Sequence, residues 1–125
     1  MTDLLGKVLI VDDQFGIRML LNEVLKMEGY ETYLAANGVE ALELLTTMKP
    51  DLVFLDMKIP GMDGIEILKR MKQQDPEVKV IMMTAYGELD LINSALSLGA
   101  LSYLPKPFNI EEVARISQEH VTIVK

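Results

Sequence analysis

Asp51-Leu52-Val53-Phe54-Leu55-Asp56-Met57-Lys58-Ile59-Pro60-Gly61-Met62-Asp63-Gly64 is the stretch whose reading decides the fold. Leu52 to Leu55 form an unbroken apolar run, as expected of a strand covered on both faces of a parallel sheet. The run stops at Asp56, which leaves a carboxylate at the end of a rigid element with its oxygens toward the loops. In open α/β sheets the crevice beyond the carboxyl ends of the strands is where ligands bind. Ile59 to Gly64 then reads as a loop in which Asp63 caps the next helix. A lone strand-end carboxylate is usually just solvated, so the weight of Asp56 depends on its neighbours.

Working outward, Lys7-Val8-Leu9-Ile10-Val11 is a short buried strand that ends in Asp12-Asp13. Ile17, Leu20, Leu21, Val24 and Leu25 share one helical face, and Gly29 closes that helix. Glu31 to Ala35 reads as a strand, and Asn37-Gly38 opens a helix with Ala41, Leu44, Leu45 and Met48 in phase. Beyond the central loop, Ile65, Leu68 and Met71 mark a helix that keeps Lys69, Arg70 and Lys72 in water. A fourth strand runs from Val78 to Met83 and meets Thr84, and a helix from Glu88 to Leu98 follows with Leu91, Ala95 and Leu98 inward. Ala100 to Leu104 is the fifth strand, and Asn109 caps a last helix carrying Ile110, Val113 and Ile116 inward. Five strands alternating with helices predict an α/β fold, a doubly wound parallel sheet with right-handed crossovers. With 125 residues, a single domain is expected, with no output domain.

Composition narrows the function classes. A net charge of −7 disfavours nucleic acid, whose phosphates would be repelled. The apolar runs are too short to span a bilayer, and the N-terminus lacks a basic signal-peptide region, so a cytoplasmic protein is expected. Zero cysteines exclude disulfides and thiolate metal sites.

Parallel strands put their carboxyl ends on one edge, and four of those ends carry Asp12-Asp13, Asp56, Thr84 and Lys106. Gathered carboxylates repel unless a cation holds them, and an oxygen-only donor set suits Mg²⁺ or Mn²⁺. A carboxylate is also a competent nucleophile toward phosphorus. Phosphoryl transfer demands neutralisation of charge on the transferring oxygens. Metal, the Lys106 ammonium and the Thr84 hydroxyl together meet that demand. His120, the only histidine, reads as a surface residue.

Val11-Asp12-Asp13, Leu55 to Gly64, Met83-Thr84-Ala85 and Lys106-Pro107-Phe108 resemble, in order and spacing, the receiver domain of bacterial two-component response regulators. The resemblance implies a flavodoxin-like sheet of order 2-1-3-4-5 with five helices. It implies phosphorylation of Asp56 by a sensor histidine kinase, and Mg²⁺ held by Asp12, Asp13, Asp56 and the backbone carbonyl of Lys58. It further implies a switch pair, Thr84 and Tyr103, and a cis Lys106-Pro107 bond. Within the family, the segments Asp13 to Arg18, Leu21 to Val24, Asp56 to Lys72 and Thr84 to Asp90 are similar to the stand-alone regulators of the Bacillus sporulation phosphorelay. That likeness implies transfer from Asp56 to a histidine phosphotransferase, control of sporulation initiation, a phosphatase as a further partner, and a monomer. The implied docking face comprises Gln14, Phe15, Gly16, Ile17, Arg18, Leu21, Pro60, Tyr86, Gly87, Pro107 and Phe108. The stretch from Ala114 to Lys125 and the residue Tyr103 depart from those regulators.

Other readings compete. A chemotaxis-type regulator would act by phosphorylation-dependent binding to a target protein. A flavodoxin-like flavin carrier shares the topology, but Asp12-Asp13 would repel its phosphate. A haloacid-dehalogenase-type phosphatase needs a second aspartate two residues after the nucleophile, where Lys58 stands.

Overall fold

The computed structural model describes residues 6–59, 61–84 and 89–121. Its elements alternate along the chain. They are β1 (Lys7–Val11), α1 (Phe15–Met27), β2 (Glu31–Ala35), α2 (Gly38–Met48), β3 (Leu52–Asp56), α3 (Gly64–Gln74), β4 (Val80–Thr84), α4 (Leu89–Ser97), β5 (Ser102–Pro105) and α5 (Ile110–His120). All pairings are parallel and the strand order is β2-β1-β3-β4-β5, as the resemblance implies.

Side chains alternate across a strand, so each central strand feeds two cores. Val8, Ile10, Leu52, Phe54, Ile81 and Met83 point to the α1 and α5 side, where they meet Leu21, Val24, Leu25, Val113 and Ile116. Leu9, Val11, Val53, Leu55, Val80 and Met82 point to the other side, against Ala41, Leu45, Ile67, Leu68, Met71 and Ala95. This double coverage explains why β3 reads as an unbroken apolar run. Truncating a core side chain such as Phe54 to alanine would cost about 3–5 kcal/mol.

Local chemistry sets the ends of the helices. Asn37, Asp63 and Asn109 each accept a hydrogen bond from the backbone N–H three residues on, and Asn109 with Glu112 completes a reciprocal capping box. Gly29 at φ 102° and Gly99 at φ 107° follow helix ends in the left-handed conformation.

The sequence expectation needs correction in several places. β4 begins at Val80, because the Val78 N–H bonds back to Asp75. β5 begins at Ser102, because the Ala100 N–H is used by Ala95 in closing α4. The buried face of α3 is Ile67, Leu68 and Met71, with Ile65 half-buried, and that of α4 includes Ile92 and Ala95 while Leu91 is exposed. Ile110 is exposed at the first turn of α5. Lys72 is half-buried and donates to the Val78 carbonyl at 2.7 Å rather than standing in water.

Candidate functional site

Register puts the reactive groups together. Val11 pairs with Leu55, so Asp12 follows β1 beside Asp56 at the end of β3. Asp56 pairs with Met83, and Thr84 with Pro105, so Thr84 and Lys106 complete the row across β4 and β5.

Asp12, Asp13 and Asp56 each offer one carboxylate oxygen, and these oxygens lie within 4.8 Å of one another. Asp12 and Asp56 are buried while Asp13 is exposed. The Lys106 ammonium bridges the two buried members, 2.9 Å from Asp12 Oδ2 and 3.4 Å from Asp56 Oδ1. The Lys106 backbone N–H donates to the Thr84 carbonyl at 2.6 Å, which ties the β5 loop to the end of β4. Thr84 is buried, and its hydroxyl makes no hydrogen bond within the described residues. The Lys106-Pro107 bond is cis. Tyr103, on β5, is 42% exposed.

Burial raises the Asp56 carboxyl above its ordinary value, and repulsion from Asp12 adds to the rise; the Lys106 charge and the Lys58 backbone N–H oppose it. Burial pulls the Lys106 ammonium down, but its hydrogen bond to Asp12 and the charges of Asp56 and Asp12 outweigh that and raise it. The site therefore holds more negative charge than one lysine compensates. Hard oxygen donors at this spacing fit Mg²⁺ or Mn²⁺.

The residues expected to form a docking face fall into three groups. Gln14, Phe15, Gly16 and Pro107 are exposed, while Ile17, Arg18 and Phe108 are half-buried. Leu21 is fully buried in the α1 core and cannot line a surface; Leu20, 40% exposed, is the outward leucine. One residue is about 100° around a helix, which separates the core side from the solvent side. Pro60, Tyr86 and Gly87 lie outside the described residues. Sequence reading missed Gln14's part in the site: its backbone N–H donates to Asp12 Oδ1 at 2.9 Å, a bond that no residue type announces.

Residues 8–118 match the family model described as the response regulator receiver domain. Among characterised proteins, sporulation initiation phosphotransferase F of Bacillus subtilis is 64% identical over 107 residues, covering 86% of each chain. Regulatory protein AtoC of Escherichia coli is 40% identical over 91% of this chain, which spans only 25% of that longer protein. In three dimensions the receiver domain of NtrX from Brucella abortus superposes with a TM-score of 0.88 at 34% identity, covering 91% of this chain and 97% of that one. No helix among the described residues is long and apolar enough to cross a membrane. With a carboxylate cluster at the strand ends, a lysine across it and a sequence match along nearly its whole length, the chain belongs to the response regulator receiver domain family.

Proposed function

We propose that the chain is a single-domain phosphorelay intermediate, residues 1–125, that takes a phosphoryl group onto Asp56 and passes it to a histidine of a second protein. One observation carries the reading: the Asp56 carboxylate is held between two further carboxylates and the Lys106 ammonium, beside the buried Thr84 hydroxyl. The match to a relative named a sporulation initiation phosphotransferase supports a role in initiating sporulation.

The donor is the phosphohistidine of a sensor histidine kinase. An Asp56 oxygen attacks phosphorus, the O–P bond forms as the N–P bond breaks, and the histidine nitrogen keeps the bonding pair. The reverse step with another histidine hands the group to a histidine phosphotransferase. Lys106 moves from its contact with Asp56 to a phosphoryl oxygen, and the Thr84 hydroxyl donates to another, with Tyr103 following it inward as a switch. Asp12, Asp13, Asp56 and the Lys58 carbonyl would hold Mg²⁺, which when bound neutralises charge on the transferring group. The exposed part of the α1 start, from Gln14 to Arg18 with Leu20, and the Pro107-Phe108 loop form the face that partners approach. A protein of this kind works as a monomer in the cytoplasm, where a phosphatase can also discharge it; it is a phosphoacceptor rather than a conventional enzyme.

Incubation with a small phosphodonor and Mg²⁺, followed by borohydride trapping and peptide mass mapping, tests the assignment. Label is expected on Asp56 alone, absent in Asp56→Asn and lost in excess chelator. Undiminished labelling under either condition would overturn the reading.

A further inference from the structure

The opening above Asp56 does not end at the carboxylates. It continues as a groove of about 930 Å³ in all, whose far end is lined by Ile65, Glu66 and Lys69 of α3 and by Leu91 and Ser94 of α4. The lining as a whole is mixed, with Met57, Ile59, Ile65 and Leu91 set among charged side chains of both signs, and the volume suits a small organic ligand. Ile65 packs against the core beneath, and Leu91 leaves 38% of its surface exposed. On a helix, residues four apart share a face, so Lys69 stands one turn beyond Ile65 along the same wall.

The charges of this far end are unequally committed. Glu66 pairs with Arg70 at 3.0 Å, and the Asp63 side chain caps α3. Lys69 is exposed and has no hydrogen-bond or ion-pair partner among the described residues. Two apolar side chains beside one uncommitted ammonium suit an amphipathic anion once a cation offsets the carboxylates nearer Asp56. We propose that it binds a small organic monocarboxylate, its carboxylate on Lys69 and its apolar body between Ile65 and Leu91, with the end nearest Asp56 covering the approach to that residue. Occupancy then slows phosphoryl transfer to Asp56, a consequence that rests on the phosphoacceptor reading above.

The metal site modulates this binding. Asp13, Asp56, Asp63 and Glu66 line the groove, with Asp12 buried beneath, against the ammonium groups of Lys58, Lys69 and Lys106. Without a cation the excess of carboxylates repels an anion. A divalent ion cancels that excess, so the carboxylate ligand binds better in its presence.

The test uses 4-phenylbutyrate and its uncharged amide as probes, titrated into the whole protein by amide NMR with Mg²⁺ or with chelator. In Mg²⁺ the carboxylate should bind about fivefold more tightly than the amide, the scale of one exposed ion pair. Shifts should centre on residues 57–59, the first half of α3 and α4. Lys69→Gln should remove the difference between probes, Leu91→Ser should weaken both, and chelator should reduce the preference for the anion. Equal affinities for the two probes, insensitivity to Lys69→Gln, or shifts centred on Phe15, Met27 or Ile110 would overturn the proposal. Phosphorylation rates are read separately at saturating probe. Unlabelled protein without probe refutes the phosphoacceptor reading and leaves the binding result standing. Normal labelling unaffected by probe in wild type refutes occlusion of Asp56.

Discussion

Asp12 has no exposed surface, yet every polar atom it carries is engaged. Its N–H donates to the Ala35 carbonyl, Oδ1 accepts from the Gln14 N–H, Oδ2 accepts from Lys106, and its carbonyl accepts from Arg18 Nη1 at 2.7 Å. A buried charge is tolerable only when paired and hydrogen-bonded in this way. Asp56 is less well compensated, and its raised carboxyl pKa has a consequence for stability. In the absence of metal, an acid whose folded pKa lies above its unfolded value costs stability as pH rises through the folded pKa, and costs none below the unfolded one. Asp56→Asn should therefore be more stable than wild type in chelator at pH 7, with a gain that shrinks as pH falls. Urea unfolding across a pH series measures this; a gain that grows toward low pH would contradict it. Lys58 is exposed and lines the mouth of the same cavity, two residues beyond Asp56. Hydrolysis of an aspartyl phosphate needs a water in line behind phosphorus. A long lysine side chain can cover that line, and a short amide can position the water. Lys58→Asn should lose phosphate severalfold faster than wild type while still accepting it at Asp56. A decay time course on purified phosphoprotein at fixed Mg²⁺ is the measurement, and an unchanged lifetime would dismiss the guarding role.

At the level of elements, α3 is pressed directly against the end of β3. A Cβ on Gly64, the first residue of α3, would lie 2.7 Å from the Asp56 carbonyl oxygen and 2.7 Å from Met57 Cα, both backbone atoms that cannot step aside. The Gly64 N–H also bonds to the Met57 carbonyl at 2.9 Å. Close approach of helix to strand thus fixes the carboxylate's height in the site, and it requires glycine. Gly16, in the first turn of α1, is the opposite case, with no atom beyond its chain neighbours and its own helix backbone within 4 Å of its would-be Cβ. Gly64→Ala should destabilise by about 1–3 kcal/mol through overpacking. Gly16→Ala should be stabilising by about 0.4–1 kcal/mol, mainly by restricting the unfolded chain. Denaturant midpoints of the two variants decide the matter; similar effects in both would show that backbone crowding at Gly64 is relieved cheaply. Lys72 performs a related task at the other end of α3. Its stem lies under Gly99, with Cε 3.0 Å from the position a Cβ would take, and its ammonium holds the Val78 carbonyl.

Over the whole molecule, the parallel sheet collects at one edge the charges that local structure would have kept apart. A chain of net charge −7 thereby concentrates three carboxylates within 4.8 Å, a repulsion that the fold bears and that a ligand cation relieves. Asp13→Ala removes one of the three without disturbing a buried contact, since Asp13 is exposed. Its thermal midpoint in chelator should exceed that of wild type. Adding Mg²⁺ should raise the wild-type midpoint, by about 2.7 kcal/mol of stability at a hundred times the dissociation constant, and should leave the variant unmoved. Calorimetric scans with and without Mg²⁺ test both statements. A variant less stable than wild type in chelator would argue against crowding, and one that still responds to Mg²⁺ would argue against Asp13 as a ligand.

Sequence alone determined the class of fold and which polar residues stand at the carboxyl ends of the strands, because both are written in local order. Apolar runs at β1, β3 and β4 declare strands covered on two faces, and Asp12, Asp56, Thr84 and Lys106 each stand at or just past a strand end, where the motif can be read. Only the tertiary structure decided which apolar residues face inward on α3 and α4 and which leucine of α1 faces out. Periodicity yields a phase with an uncertainty of about one residue, and one residue turns a side chain about 100° around a helix. The state of the carboxylates was likewise beyond the sequence. That Lys106 reaches Asp12 at 2.9 Å and Asp56 at 3.4 Å, and that Gln14 and Arg18 brace Asp12, depends on strand register and on α1 lying against the edge of β1. Groups 44 and 94 positions apart from Asp12 along the chain become its neighbours only when the sheet is assembled.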